Sequence, residues 1–100
     1  MDSRQLYDLY PIAQLENMWV PLVLEVVMEL LEKEEVCDCQ ECVLDLVAVS
    51  LNTLPPRYWV SGKFNAFTPP DTFLNSAENR QKARSTVMAA LALVKKNPHH

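Results

Sequence analysis

The sequence predicts an all-α fold, namely one domain of three main helices with a long proline- and aromatic-rich loop before the last helix. Residues 20–35, 43–54 and 77–96 each carry apolar residues at the spacing of one helix face. Nearly half of the chain is apolar and it holds a single glycine, so we expect an ordered core. Because three short helices with apolar residues on more than one side bury too little surface alone, we expect a homodimer.

The chain divides into three parts in this interpretation. Residues 1–17 form an N-terminal arm, residues 18–96 form the helical domain, and residues 97–100 form a C-terminal tail. The arm is mostly polar, and we expect a short helix in it and contact with a partner subunit. One hundred residues are enough for one domain with a modest core.

The first main helix is expected to begin after Asn17, whose side chain suits an N-cap, with Pro21 tolerated in the first turn. Glutamates point away from its apolar face. The residues expected to be buried are Leu22, Val23, Val26, Val27, Leu30 and Leu31. Leu24 and Met28 widen the apolar surface, which favours packing against a second chain.

Three cysteines, Cys37, Cys39 and Cys42, precede the second helix at spacings of two and three residues. Thiols at these spacings can converge on one point, and a helix N-terminus favours thiolates, so they are candidate zinc ligands. A closed zinc site needs four ligands. The candidates for the fourth are Asp38, Glu41, a residue of a partner chain, and the terminal His99 and His100, which also resemble the remnant of an expression tag. The alternative is that the thiols pack as small apolar groups.

The second helix is expected to end at Pro55 and Pro56, because proline lacks the amide proton and restrains the residue before it. Its periodicity predicts one buried face. The residues assigned to that face are Leu44, Val47, Ala48, Leu51 and Leu54.

Residues 55–76 hold four prolines, the glycine and five of the eight aromatic residues. A connection of this length is uncommon in a compact domain unless it has a function. We expect most of the aromatic residues to attach the loop to the core. Tyr58 and Trp59 begin a short extended piece that we expect to pair with its symmetry mate, and beside Arg57 they are the best candidates for stacking on a planar ligand.

The last helix is expected to begin near Asn75 or Ser76, with Glu78 completing a capping box from Asn75. Arg80 and Arg84 share one face of its first turns, where the helix dipole disfavours cations and the two charges repel by about 0.2–0.5 kcal/mol. Either an anion such as a phosphate binds them, or acidic side chains from the first half of the chain neutralise them. The expected core face comprises Ala83, Val87, Ala90, Leu91 and Val94.

Charge and composition restrict the function. Residues 1–50 hold eleven acidic and two basic residues, whereas residues 51–100 hold two acidic and seven basic ones, for a net charge of −4. This balance disfavours direct nucleic-acid binding. The start of the chain has no basic and apolar signal pattern, and the longest apolar stretch is too short to cross a membrane. We therefore expect a cytoplasmic protein with reduced cysteines.

No motif in the chain indicates catalysis. Histidine is absent from the body of the chain, and there is no glycine-rich phosphate loop, HExxH or GxSxG pattern. We expect a binding or interaction protein and not an enzyme.

Residues 36–58, which read VCDCQECVLDLVAVSLNTLPPRY, resemble the late-competence ComFB family and its cyanobacterial-type branch of cyclic-dinucleotide receptors. In the family pattern a Cys-x-Cys-x-x-Cys cluster leads into a helix that ends in Asn-x-Leu/Val-x-Pro-x-Tyr, matched here by Asn52, Pro56 and Tyr58. The resemblance extends over residues 18–96, where the helices correspond. It implies a dimeric signalling protein, and in some members zinc.

Two functions follow from the resemblance and the residues together. The first is a homodimeric receptor for c-di-GMP or c-di-AMP, in which Arg57, Arg80 and Arg84 hold phosphates, Tyr58 or Trp59 stacks on a purine, and Asp71 reads a guanine edge. The ligand would then alter how the dimer meets an unknown downstream protein. The second is a zinc-stabilised adaptor linked to competence and DNA uptake, with no small ligand. DNA binding is the weakest hypothesis, since the chain has neither a helix-turn-helix glycine turn nor a long basic stripe.

Overall fold

The computed structural model describes residues 2–61 and 70–96, and this part of the chain is mostly helical. The short elements are α1 (Ser3–Leu9), a 3-10 helix (Ile12–Gln14), β1 (Leu15–Asn17), β2 (Tyr58–Val60) and α4 (Pro70–Leu74). The long helices are α2 (Trp19–Glu32), α3 (Gln40–Thr53) and α5 (Ala77–Lys96). The three main helices are confirmed. The homodimer stays a prediction.

Helices α2, α3 and α5 pack against one another around a single core. Helix α2 contributes Leu22, Val23, Val26, Val27 and Leu30, and α5 contributes Ala83, Val87, Ala90, Leu91 and Val94. These are the faces that the sequence predicts for the two helices, apart from Leu31, which is only partly buried. Of the alanines of α5, Ala83 and Ala90 are buried in this core, where they add little side-chain volume.

The predicted face of helix α3 is right in part: Leu54 lies in the core, and Val47 and Leu51 are partly buried against it. The buried side chains within the helix are Cys42, Leu46 and Ser50, whereas Leu44 is 56% exposed and Ala48 is exposed as well. Apolar residues surround most of this helix, so periodicity alone does not fix the inner face. The buried polar group is satisfied, because the Ser50 hydroxyl donates a hydrogen bond to the Leu46 carbonyl oxygen at 2.7 Å.

A two-stranded antiparallel sheet joins the end of the arm to the segment after α3. Strand β1 pairs with β2 in the register Leu15↔Val60, Glu16↔Trp59 and Asn17↔Tyr58. The extended piece at residues 58–60 is therefore confirmed. Its partner here is a strand of the same chain. Pairing with a symmetry mate stays a prediction.

The start of α2 is linked to β2 through Asn17. Its side-chain oxygen accepts hydrogen bonds from the backbone N–H groups of Trp19 and Arg57, both at 3.2 Å. The N–H of Met18 donates to the carbonyl oxygen of Arg57 at 2.7 Å. The N-cap residue of α2 is Met18 and not the predicted Asn17, but the Asn17 side chain still accepts the N–H of the first helical residue and holds Arg57, which is 40 positions away in the sequence.

The segment that the sequence assigned to one long loop contains β2 and α4. Phe73 of α4 packs edge-on against Trp19, with the ring centroids 4.8 Å apart, so this aromatic residue attaches the segment to the core. Phe64 and Phe67 lie outside the described residues. Helix α5 then begins with a cap from Ser76, whose hydroxyl accepts a hydrogen bond from the N–H of Asn79 at 3.2 Å. The capping box that the sequence predicts from Asn75 and Glu78 is therefore wrong.

Within residues 2–61 and 70–96, no helix combines the length and the apolar character needed to cross a membrane.

Candidate functional site

The three cysteines meet at the start of α3. Cys39 is the N-cap residue in an extended conformation, and its sulfur accepts a hydrogen bond from the Cys42 N–H at 3.4 Å. The three sulfur atoms all lie within 4.8 Å of one another. Cys37 is exposed, Cys39 is half-buried and Cys42 is buried. The convergence of the thiols that the sequence predicts is therefore present.

The hydrogen bonds in this cluster separate the acidities of two thiols. The backbone N–H of Cys42, followed by the side chains of Cys42 and Cys37, stabilises the Cys39 thiolate and lowers its pKa. The pKa of Cys42 rises to about 12, first because its side chain is hydrogen-bonded to Cys39 and then because it is buried. Cys39 is thus the first of the pair to become a thiolate.

The donor set fits three of the four positions of a zinc site. Zinc binds thiolate sulfur at about 2.3 Å in a tetrahedron, which places sulfur atoms about 3.8 Å apart. The observed separations of up to 4.8 Å need only small side-chain movements to reach that value. Asp38 and Glu41, beside the cluster, are exposed candidates for the fourth ligand, whereas His99 and His100 lie outside the described residues.

Arg80 and Arg84 lie on the side of α5 that faces α2. Arg80 forms an ion pair with Glu25, and Arg84 forms one with Glu29, each with 2.5 Å between nitrogen and oxygen. The alternative in which acids of the first half of the chain neutralise these arginines is therefore confirmed. Their role in binding a ligand stays a prediction.

The two arginines also line an open groove of about 300 Å³ between α2 and α5. Its apolar floor is formed by Leu22 and Val26, and Glu25 lies on its rim with the arginines. The groove therefore combines an apolar surface with two guanidinium groups that are about half exposed, at 48% and 45%.

Glu29 pairs with two basic side chains on this side of the molecule, Arg84 and Lys33. Arg84, followed by Lys33, donates hydrogen bonds to it, and together they lower its pKa from 4.5 to about 2. A carboxyl group whose pKa is lower in the folded chain than in the unfolded chain stabilises the fold at a pH above its unfolded pKa, and this contribution disappears as the pH falls through the folded pKa.

We therefore expect the stability difference between the wild type and Glu29→Gln to shrink as the pH falls from about 4.5 to about 2. Urea denaturation at a series of pH values measures it. The control is Glu32→Gln, which removes an exposed carboxylate of the same helix that has no ion pair among the described residues. A difference for Glu29→Gln that does not depend on pH would contradict the pairing with Arg84.

The remaining predicted ligand residues do not line the groove that holds Arg80 and Arg84. Arg57 is exposed just before β2, and its guanidinium carbon lies 6.0 Å from the centroid of the Phe73 ring. Tyr58 is 63% exposed, whereas Trp59 is half-buried and lines a second cavity of about 390 Å³ between the sheet and the start of α2. Asp71 is exposed in the first turn of α4. Tyr58 and Trp59 thus lie in β2 with Arg57 directly before it, whereas Arg80 and Arg84 line the groove between α2 and α5.

Sequence reasoning missed several residues that shape these surfaces. Lys82 lies over the Trp19 ring, with 5.7 Å from its nitrogen to the ring centroid, and no sequence signal indicates that contact. The pairing of Glu25 and Glu29 with Arg80 and Arg84 could have been predicted from the sequence. Each pair is spaced by four residues on its own helix, so two facing helices bring the charges into register.

Comparison with known proteins finds one family. A family model described as late competence development protein ComFB matches residues 16–98. No curated protein matches the chain. No solved structure matches it either.

Proposed function

The chain belongs to the late competence development protein ComFB family, and we propose that it is a homodimeric receptor for a cyclic dinucleotide, c-di-GMP or c-di-AMP, that signals without catalysis. The proposal starts from the cyclic-dinucleotide receptors among ComFB-like proteins. The observation that carries it is the pair of arginines lining the groove between α2 and α5. The assignment to the cyanobacterial-type branch stays a prediction.

The ion pairs of the groove are weak enough to be exchanged for a ligand. Pairs between exposed side chains contribute about 0–1 kcal/mol each, because water screens them. A phosphodiester offers each arginine two oxygen acceptors in the same plane, and such charge-assisted bidentate contacts are about twice as strong as neutral hydrogen bonds. Binding would therefore replace Glu25 and Glu29 as partners of Arg80 and Arg84 at small cost.

The size of the groove favours a site that two subunits share. Small-molecule pockets span about 300–1,000 Å³, and the groove of about 300 Å³ lies at the lower limit of that range. A molecule with two nucleotides would extend beyond it. A second subunit could then supply purine-stacking groups such as Tyr58 or Trp59, a further cation such as Arg57, and Asp71 for a guanine edge.

Titration calorimetry of the tag-free protein with c-di-GMP and c-di-AMP tests the proposal. We expect micromolar or tighter binding of at least one nucleotide, and loss of binding in Arg80→Ala/Arg84→Ala. The matched control is Lys95→Ala/Lys96→Ala, which removes the same charge from the other end of α5 and should leave binding intact. No heat with either nucleotide, for protein shown to be folded by circular dichroism, would overturn the proposal.

A further pair of variants separates ligand binding from a purely structural role of the arginines. Because Glu25 and Glu29 compete with the ligand for the guanidinium groups, Glu25→Gln/Glu29→Gln should bind the nucleotide more tightly than the wild type. If the arginines served only to hold α2 against α5, the glutamine variant would lose stability and gain no affinity.

The cysteine cluster favours a second candidate, a zinc-stabilised adaptor that contacts other proteins and is linked to competence. Its supporting observation is the meeting of three sulfur atoms within 4.8 Å. Under this alternative, replacing Arg80 and Arg84 changes little, whereas Cys39→Ser destabilises the whole domain. The same set of variants therefore distinguishes the two candidates.

A further inference from the structure

Two of the three cysteines occupy the first turn of α3 in an arrangement suited to a covalent bond between them. Cys39 is the N-cap residue and Cys42 is the third residue of the helix. Helix geometry separates Cα atoms three residues apart by about 5 Å, which lies inside the range of about 4.4–6.8 Å found in disulfides. The sulfur of Cys39 already lies over this turn, 3.4 Å from the backbone nitrogen of Cys42.

We propose that Cys39 and Cys42 form a reversible disulfide when the protein meets a peroxide, which makes the start of α3 a site of oxidative modification. The inference is independent of the nucleotide site and of the proposed function. It depends on the short distances among the sulfurs, which need only side-chain rotation to reach the bond length of about 2.05 Å.

Unequal exposure gives the two thiols different roles. Cys42 is 3% exposed, so a dissolved oxidant does not reach its sulfur directly. Cys39 is half-buried, so the oxidant meets Cys39 first within the pair. Cys37 lies before the helix, on a segment without regular structure, and no helical turn holds it in register with Cys39.

The reaction proceeds in two steps with hydrogen peroxide as the oxidant. The Cys39 thiolate attacks one peroxide oxygen, the O–O bond breaks, hydroxide leaves, and Cys39 becomes a sulfenic acid. The Cys42 sulfur then attacks the Cys39 sulfur, the S–O bond breaks, and the hydroxyl leaves as water with the Cys42 proton. The two thiols lose two electrons and two protons, and the peroxide is reduced to two molecules of water.

Oxidation and zinc binding exclude each other in this arrangement. The disulfide uses two of the three thiolates that a metal would need, and a bound metal withholds the same sulfurs from peroxide. Oxidation would therefore lower the affinity of the start of α3 for a metal, while the core behind it stays packed.

Intact mass measurement of the full chain after peroxide treatment tests the inference. We expect Cys37→Ser, which retains only the proposed pair, to lose the mass of two hydrogen atoms and both reactive thiols, and to recover them with a dithiol reductant. Under the same treatment Cys37→Ser/Cys42→Ser and Cys37→Ser/Cys42→Ala, which leave Cys39 without a neighbouring thiol in the cluster, should stop at a sulfenic acid on Cys39 that dimedone traps. Two Cys42 variants are used because the buried position tolerates serine and alanine differently.

Two outcomes would overturn the proposal. The first is a Cys37→Ser chain, folded by circular dichroism, that keeps both thiols in peroxide. The second is a disulfide in the wild type that fragmentation assigns to Cys37.

Discussion

Replacing Leu46 by alanine is expected to lower the free energy of unfolding by about 2–5 kcal/mol. Leu46 is 0% exposed and lies in the core that α3 shares with α2 and α5. Its truncation removes buried apolar atoms and leaves a cavity that close-packed neighbours fill only in part. Leu44→Ala removes the same atoms two residues earlier, at a position 56% exposed, and should cost less than about 0.5 kcal/mol.

Urea denaturation of both variants beside the wild type measures the two effects, with the slope of the transition as a check that the unfolded state is unchanged. Equal losses, or a larger loss for Leu44→Ala at every protein concentration, would restore the face that the sequence predicts. A loss for Leu44→Ala that grows as the protein concentration is raised would show that a second copy of the chain covers this side of α3.

Zinc is expected to stabilise the protein strongly through the cysteine cluster. A ligand that binds only the folded chain adds about 4 kcal/mol when its concentration is a thousandfold above its dissociation constant. The three sulfurs within 4.8 Å at a helix N-terminus supply the soft donors that zinc prefers over harder cations. Cys39→Ser should abolish most of this gain, because it removes the thiol that the Cys42 N–H already stabilises.

Thermal denaturation with zinc, with magnesium and with a chelator measures the effect. Magnesium is the control metal, since it binds oxygen ligands and should not shift the transition. Asp38→Asn and Glu41→Gln separately test the two adjacent carboxylates as the fourth ligand. A zinc-induced shift that survives in Cys39→Ser, or no shift in the wild type, would contradict the metal site.

Much of the candidate site could be predicted from the sequence because its parts are local. The cysteines lie within six consecutive residues, so their spacing and the helix that follows already bring the sulfurs together. The two positive charges of Arg80 and Arg84 in the first turns of α5 likewise predicted that a negatively charged group lies beside them. Which anion meets them in the folded chain depends on α2, whose Glu25 and Glu29 lie 55 residues away in the sequence.

The sequence by itself determined the family, through the cysteine cluster and the segment that follows it. It also determined the buried faces of α2 and α5, because apolar residues recur in these helices with a clear helical period. Only the tertiary structure decided which side of α3 is buried, since its apolar residues surround the helix and packing against α2 and α5 makes the choice. It also decided that β2 pairs with β1 and that Asn17 fixes Arg57. Such contacts join residues about 40 positions apart, and no local pattern encodes them.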